Sequence, residues 1–153
     1  MTLGVLAPTL VTLAAIGIAA GEGVGYSPLS NGGAANAAEA AALGNASDLL
    51  RLLALGEAPD QVQTLRPEII SPQVLRATPI EAAIWSRQLI LVRLLDQQHV
   101  IVGESSRHHL ACLARDVQVP DVADYLAPGG VGVCGVEEGL ARVLARTAAG
   151  DGR

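Results

Sequence analysis

Residues 78–98 read TPIEAAIWSRQLILVRLLDQQ, and this stretch holds two helices, their caps and their turn. Thr78 is a good N-cap. Pro79 sits at the first helical position, where a missing N–H costs nothing, and Glu81 falls three residues after the cap, where its side chain closes a capping box. Ala82 and Ala83 are small enough for another helix to come close. After Ser86-Arg87-Gln88, the residues Leu89, Leu91, Val92, Leu94 and Leu95 recur at helical spacing, so the stretch predicts helices over 79–86 and 89–97.

Weaker copies of this unit flank it. Before it come Ala40-Ala41-Ala42-Leu43-Gly44, then Leu49, Leu52-Leu53, Gly56 and Glu57-Ala58-Pro59-Asp60; after it come Ser106-Arg107-His108-His109-Leu110-Ala111-Cys112, with Val122, Tyr125 and Leu126. The three together resemble the ankyrin repeat, with its TPLH-x-A first helix, tight glycine turn and V-x-x-LL second helix. The resemblance implies an all-α fold, a short ankyrin-like α-solenoid of three degenerate repeats over 35–127. Helices are expected at 36–43, 46–54, 79–86, 89–97, 107–114 and 120–126, with no sheet beyond turn hairpins. The segment from Gln61 to Ala77, with Pro67, Pro72 and Ile69-Ile70, reads as an enlarged finger that reaches a partner or as an ordinary surface insertion.

The departures from the pattern are specific. Glu81 replaces the usual His, Arg87 and Arg115 replace the glycine that ends a first helix, and His99 falls where a left-handed glycine is expected. Ala40 to Ala83 is too long for one repeat of about 33 residues, and Ala83 to Ala111 too short. About three repeats are the minimum for a stable stack, so the domain is expected to lean on something else. By the same resemblance, partner contacts are expected on finger tips and first-helix ends: Arg76, Trp85, Arg87, Gln88, Arg107 and Arg115. Trp85 is the single Trp, and Trp and Arg dominate many interfaces; its alternative role is packing within the stack.

Leu3 to Gly21 carries no charge, and about twenty apolar residues cross a bilayer. Glu22 ends the run and Tyr26 sits where an interfacial aromatic would. Residues 1–26 therefore read as a single transmembrane helix and 27–34 as a Pro- and Gly-broken linker. Gly17, Gly21 and Gly25 form two overlapping GxxxG steps that would let a second transmembrane helix approach closely. The rivals are a cleaved secretory signal, which lacks a positive n-region since no basic residue precedes Arg51, and a buried core helix.

Composition narrows the function. Half the chain is apolar, yet it has no Phe, one Trp and two Tyr, which suits close-packed helices with small contact residues. All ten basic residues are Arg, a bias of GC-rich bacterial coding, and a net charge of −5 without a basic cluster argues against nucleic acid. The C-terminal part, 128–153, reads as a glycine-rich connection and a capping helix over Val136 to Ala149, with Leu140, Val143 and Leu144 on one face and Arg142 and Arg146 on another.

His108 and Cys112 share a helical face, but a metal needs three or four ligands and no further His or Cys lies at a suggestive spacing. His109, in the position of the repeat's histidine, reads as structural. Glu137-Glu138 and Asp121/Asp124 read as solvated helix positions, and no nucleophile elbow or phosphate loop appears. The expectation is no catalytic residues, no cofactor, no metal and no small-molecule substrate. The function expected is a non-catalytic accessory subunit of a bacterial membrane complex, its partners being protein subunits and the lipid bilayer. The alternative is a soluble or secreted ankyrin-repeat binding module. Localisation reads as the inner membrane, single-pass, with the C-terminal domain on the cytoplasmic side because the Cys112 and Cys134 spacing has no pairing pattern; a Cys112–Cys134 disulfide would reverse that side.

Overall fold

Local side-chain hydrogen bonding marks the start of the first three described helices. In the computed structural model, which describes residues 33–150, Thr78 accepts from the Glu81 N–H at 3.4 Å and the Glu81 carboxylate accepts from the Thr78 N–H at 2.8 Å, so the expected capping box is formed. Asn36 and Asn45 cap the two preceding helices in the same way, through the N–H groups of Glu39 and Asp48. The expected transmembrane helix, with Gly17, Gly21 and Gly25, and nearly all of the linker lie outside the described residues. None of the described helices is long and apolar enough to cross a membrane.

The elements run α1 (Ala37–Ala42), α2 (Ala46–Ala54), β1 (Gln63–Leu65), β2 (Leu75–Ala77), α3 (Pro79–Trp85), α4 (Leu89–Gln97), α5 (Gly103–Asp116), α6 (Pro120–Leu126) and α7 (Leu140–Gly150). The fold is therefore predominantly helical, with one two-stranded hairpin. α1 packs on α3 and α3 on α5, while α2, α4 and α6 each pack on the first helix of their own pair. Alanine makes the first row possible: Ala37, Ala38, Ala40, Ala41, Ala82, Ala83, Ala111 and Ala114 are all fully buried, so the helix backbones approach closely. Leu49, Leu91, Val92, Leu95, Val122 and Leu126 fill the space beneath, and each side chain buried this way stabilises the fold by about 1.5–3 kcal/mol.

Five helix ends share one closure. At Gly44, Gly56, Arg87, His99 and Gln118 the residue is left-handed, its N–H donates to the carbonyl three residues back, and the next N–H donates five residues back. This is the Schellman arrangement, which satisfies the orphan carbonyls of a helix end. Arg87 and His99 take the left-handed conformation their positions demanded. At the third first helix it is Gln118 that does so, with φ 59°, and not Arg115, because α5 runs on through Asp116. α5 also begins at Gly103, earlier than expected, since no Ser, Thr, Asp or Asn side chain marks its start.

Non-glycine residues at these turns carry a steric cost that glycine lacks. His99→Gly and Gln118→Gly are each expected to raise stability by about 0.5–1 kcal/mol, the double variant melting a few degrees higher. Thermal unfolding followed by circular dichroism checks this, with His99→Ala as the contrast that does not gain. A loss in both glycine variants would mean the left-handed turns are not populated.

The finger is an antiparallel hairpin in the register Gln63↔Ala77, Thr64↔Arg76 and Leu65↔Leu75, with Leu65 and Leu75 buried and Thr64 exposed. Its tip is tied down by Ile69 and Ile70, which are half-buried against the core.

α7 differs most from expectation. It begins at Leu140 because Gly139 is left-handed (φ 58°) and wedged against α5: a Cβ there would collide with the Asp116 carboxylate and come within 3.1 Å of the Cys112 carbonyl carbon. The Asp116 carboxylate then accepts from the Leu140 N–H at 3.1 Å. α7 packs on β2 and α5, and the Arg76 N–H donates to Thr147 Oγ1 at 3.0 Å. Val143 is buried as expected, but Leu144 is half exposed and Arg146 turns inward in its place.

Candidate functional site

Glu81 sits on the third residue of α3 with its side chain 4 % exposed, and three elements converge on it. His109 of α5 lies 3.0 Å from Oε1, Arg146 of α7 pairs with the same oxygen, and the Thr78 N–H donates to Oε2. Burial pushes the Glu81 carboxyl up, but the His109 and Thr78 hydrogen bonds and the Arg146 charge outweigh it and hold the pKa at about 2. His109 Nδ1 accepts from the Gly139 N–H at 3.1 Å, so its proton is on Nε2 and is donated to Glu81. The structural role expected for His109 is thereby met by a neutral imidazole tying three segments together.

A cavity of about 170 Å³ opens beside this network, lined by Asp60, Ser106, Leu110 and Arg142 among others, with Glu81 and His109 in its wall. Its chemistry is restricted. With one ring nitrogen donating to Glu81 and the other accepting from Gly139, His109 has no lone pair left to take a proton from Ser106 or a bound water.

The first unit repeats the arrangement. Glu39 follows Asn36 as Glu81 follows Thr78, is fully buried, and accepts from the Ala35 and Arg66 N–H groups and from the Arg66 guanidinium at 2.8 Å. Burial raises the Glu39 carboxyl, the Arg66 and Ala35 hydrogen bonds lower it more, and the net shift is downward. The free N–H groups at the start of α1 are met by the turn after α2 and by the finger: Ala37 donates to Glu57 and Ala38 to Gln63.

A second cluster forms at the far face of α5. Cys112, fully buried, is disulfide-bonded to Cys134 on the glycine-rich connection, with a Cα–Cα distance of 5.8 Å. His108, one helical turn before Cys112, places Nε2 3.7 Å from its sulfur, and Glu138 brings Oε2 to 3.3 Å from His108 Nε2 and 3.9 Å from the Cys112 sulfur. The Gly135 N–H donates to Glu138 at 2.9 Å and lowers its carboxyl below the usual range. Helical spacing joined only His108 and Cys112. Cys134 and Glu138 arrive through the loop, so the ligand count that argued against a metal was incomplete.

The six residues expected to meet a partner are spread along the stack. Arg87 is exposed, Gln88 is half-buried and lies over Gly44, and Trp85 is half-buried against the core. Arg76 is half-buried on β2 beneath α7. Arg107 pairs with Asp96 at 3.2 Å, where Tyr125 also donates at 2.7 Å, and exposed Arg115 reaches the Gly132 carbonyl at 3.5 Å. The Asp96 hydrogen bond raises the Tyr125 pKa. Neither the buried Glu81–Arg146 pair nor the Cys112–Cys134 bond carries a sequence signal, because both join residues far apart in the chain. No family model matches the sequence, and no curated protein or solved structure matches it.

Proposed function

We propose that this chain is a non-catalytic protein–protein interaction protein: a short ankyrin-like stack over residues 35–127, anchored through its apolar N-terminal segment to a larger bacterial membrane complex. The observation that carries this reading is the recurrence of one unit, a first helix, a left-handed closure and a second helix, with the first helices stacked through alanine. Such a stack is stiff and presents its helix ends and finger as an extended surface, which suits binding. The non-catalytic reading is supported by His109, whose two nitrogens are both engaged. Arg87 and Arg115 offer exposed guanidinium groups, and Trp85 a partly exposed indole, to a protein partner.

One observation favours the alternative of a secreted module. Disulfides persist in oxidising compartments, so the Cys112–Cys134 bond argues for the domain facing that side of the membrane, whether the segment before it is an anchor or a signal. Carbonate washing of native membranes separates the two: the anchored protein stays in the pellet, and release into the wash would establish the secreted reading. Detergent extracts are then tested for co-purifying subunits. Gly17→Leu/Gly21→Leu is expected to stay in the membrane but lose its partners, since packing of small residues supplies the attraction between helices in lipid. Undiminished recovery of partners would place assembly on the stack, where Trp85→Ala and Arg87→Ala would then reduce it.

A further inference from the structure

The side chains of His108, Cys112, Cys134 and Glu138 form a set with the composition of a zinc site. The His108, Cys112 and Cys134 ligand atoms all lie within 4.8 Å of one another, and Glu138 Oε2 is 3.3 Å from His108 Nε2 and 3.9 Å from the Cys112 sulfur. At Zn–S distances of about 2.3 Å and Zn–N and Zn–O distances of about 2.0–2.2 Å, the ligand atoms of a tetrahedral site stand roughly 3.3–3.8 Å apart. The His108–Cys112 separation of 3.7 Å and the His108–Glu138 separation of 3.3 Å already fall in that range. Glu138 Oε2, at 3.9 Å from the Cys112 sulfur, is close to that range, and the two bonded sulfurs have to part.

We propose that, when the Cys112–Cys134 disulfide is reduced, these four residues bind one Zn²⁺, so that the connection leading into α7 is fastened by a metal in the reduced chain and by a sulfur–sulfur bond in the oxidised one. Several features suit this exchange. Cys112 and His108 are a helical turn apart on α5, a rigid support, while Cys134 lies in Gly129-Gly130-Val131-Gly132-Val133-Cys134-Gly135, a backbone that adjusts at low cost. The Gly135 N–H holds the Glu138 carboxylate in place, as outer hydrogen bonds orient ligands in zinc sites. His108 and Glu138 are about one third exposed, which gives an ion a route in.

The chemistry balances. A dithiol reductant transfers two electrons and two protons to the disulfide, becoming a disulfide itself, and leaves two thiols. Zn²⁺ displaces both thiol protons, so the Cys₂HisGlu site carries a net charge of −1 with neutral His108. In the reverse direction a hydroperoxide takes two electrons from the thiolates as the sulfur–sulfur bond forms. Two protons from solvent complete the cleavage of the peroxide O–O bond to one water and one alcohol, or to two waters from hydrogen peroxide, and the ion is released, because a disulfide is no thiolate ligand.

The test uses the full chain in mild detergent, either reduced with a phosphine that is then removed anaerobically, or left oxidised. Each form is titrated with Co²⁺ and then with Zn²⁺. The reduced form is expected to take up one Co²⁺ with tetrahedral visible bands and a thiolate charge-transfer band, and to lose them to Zn²⁺; the oxidised form is expected to show neither. Adding hydrogen peroxide to the zinc form should release the metal to a chromogenic chelator. His108→Ala and Glu138→Gln, both at partly exposed positions, should each weaken binding by more than about tenfold with unchanged circular dichroism. Cys134→Ser, which leaves Cys112 as the one thiolate, should reduce the charge-transfer band to about half or less and weaken binding. The proposal is overturned if the reduced protein gives no thiolate band, if His108→Ala and Glu138→Gln bind as tightly as the unsubstituted chain, or if the oxidised form binds equally well.

Discussion

Glu81→Gln is expected to lower the unfolding free energy by about 3–5 kcal/mol, the usual result of breaking a buried ion pair from one side. The substitution keeps the shape and leaves the Arg146 guanidinium and the His109 N–H facing a neutral amide at a position whose side chain is 4 % exposed. Arg146→Met should also destabilise, since it leaves the Glu81 carboxylate, 4 % exposed, to the His109 and Thr78 N–H groups alone. The double variant should recover part of the combined loss, because neither partner is then left charged and buried. Urea unfolding of the four proteins at neutral pH measures the coupling. Strict additivity would mean that Glu81 and Arg146 do not act on each other.

The same carboxylate sets an acid limb. Its folded pKa, about 2, lies below its ordinary value of 4.5, so the stability it contributes is fully present above 4.5 and is lost as the pH falls from there toward 2. At 1.36 kcal/mol per unit the loss is about 3 kcal/mol. Glu39, also lowered, adds in the same direction. The unsubstituted protein should therefore weaken steadily below pH 4.5, and Glu81→Gln should show a flatter profile there. A profile as steep as that of the unsubstituted protein would mean that the acid sensitivity comes from elsewhere.

Cys134→Ser is expected to cost about 2–4 kcal/mol in metal-free conditions, since the bond it removes closes a loop with a sequence separation of 22. The loss should be uneven. The disulfide pins the connection that leads into α7, so the α7 amides and the Arg76 N–H, which donates to Thr147, should exchange faster, while α1 and α2 keep their protection. Hydrogen exchange read by mass spectrometry distinguishes this from uniform destabilisation, which would show α7 to be held by its contacts with β2, α5 and Glu81 without help from the disulfide. Phosphine reduction of the unsubstituted chain under the same conditions should reproduce the pattern.

These effects fall where the sequence is least informative, and the contrast has a physical basis. α2, α4 and α6 lie at their expected residues, and α1 and α3 within one at each end. The starts of α1, α2 and α3 rest on hydrogen bonds between residues three apart, Asn36 to Glu39, Asn45 to Asp48 and Thr78 to Glu81, and α4 and α6 on apolar residues three and four apart, with Pro120 opening α6; such signals are written into any short window of the chain. The left-handed Arg87 and His99 were legible for the same reason, since a helix closure involves its own last turn. α5, with no capping side chain, lost its boundaries, and with them the left-handed position moved to Gln118. What came from the packed fold was every contact between distant residues: Arg146 on Glu81, the Cys112–Cys134 bond, Glu138 beside His108, and α7 turned over β2 with Leu144 outward. A charge or a thiol finds its partner by proximity in space, at any separation along the chain. Gly139 alone shows how strict that is: its place against Asp116 and the Cys112 backbone sets where α7 begins, although nothing in its neighbours marks it.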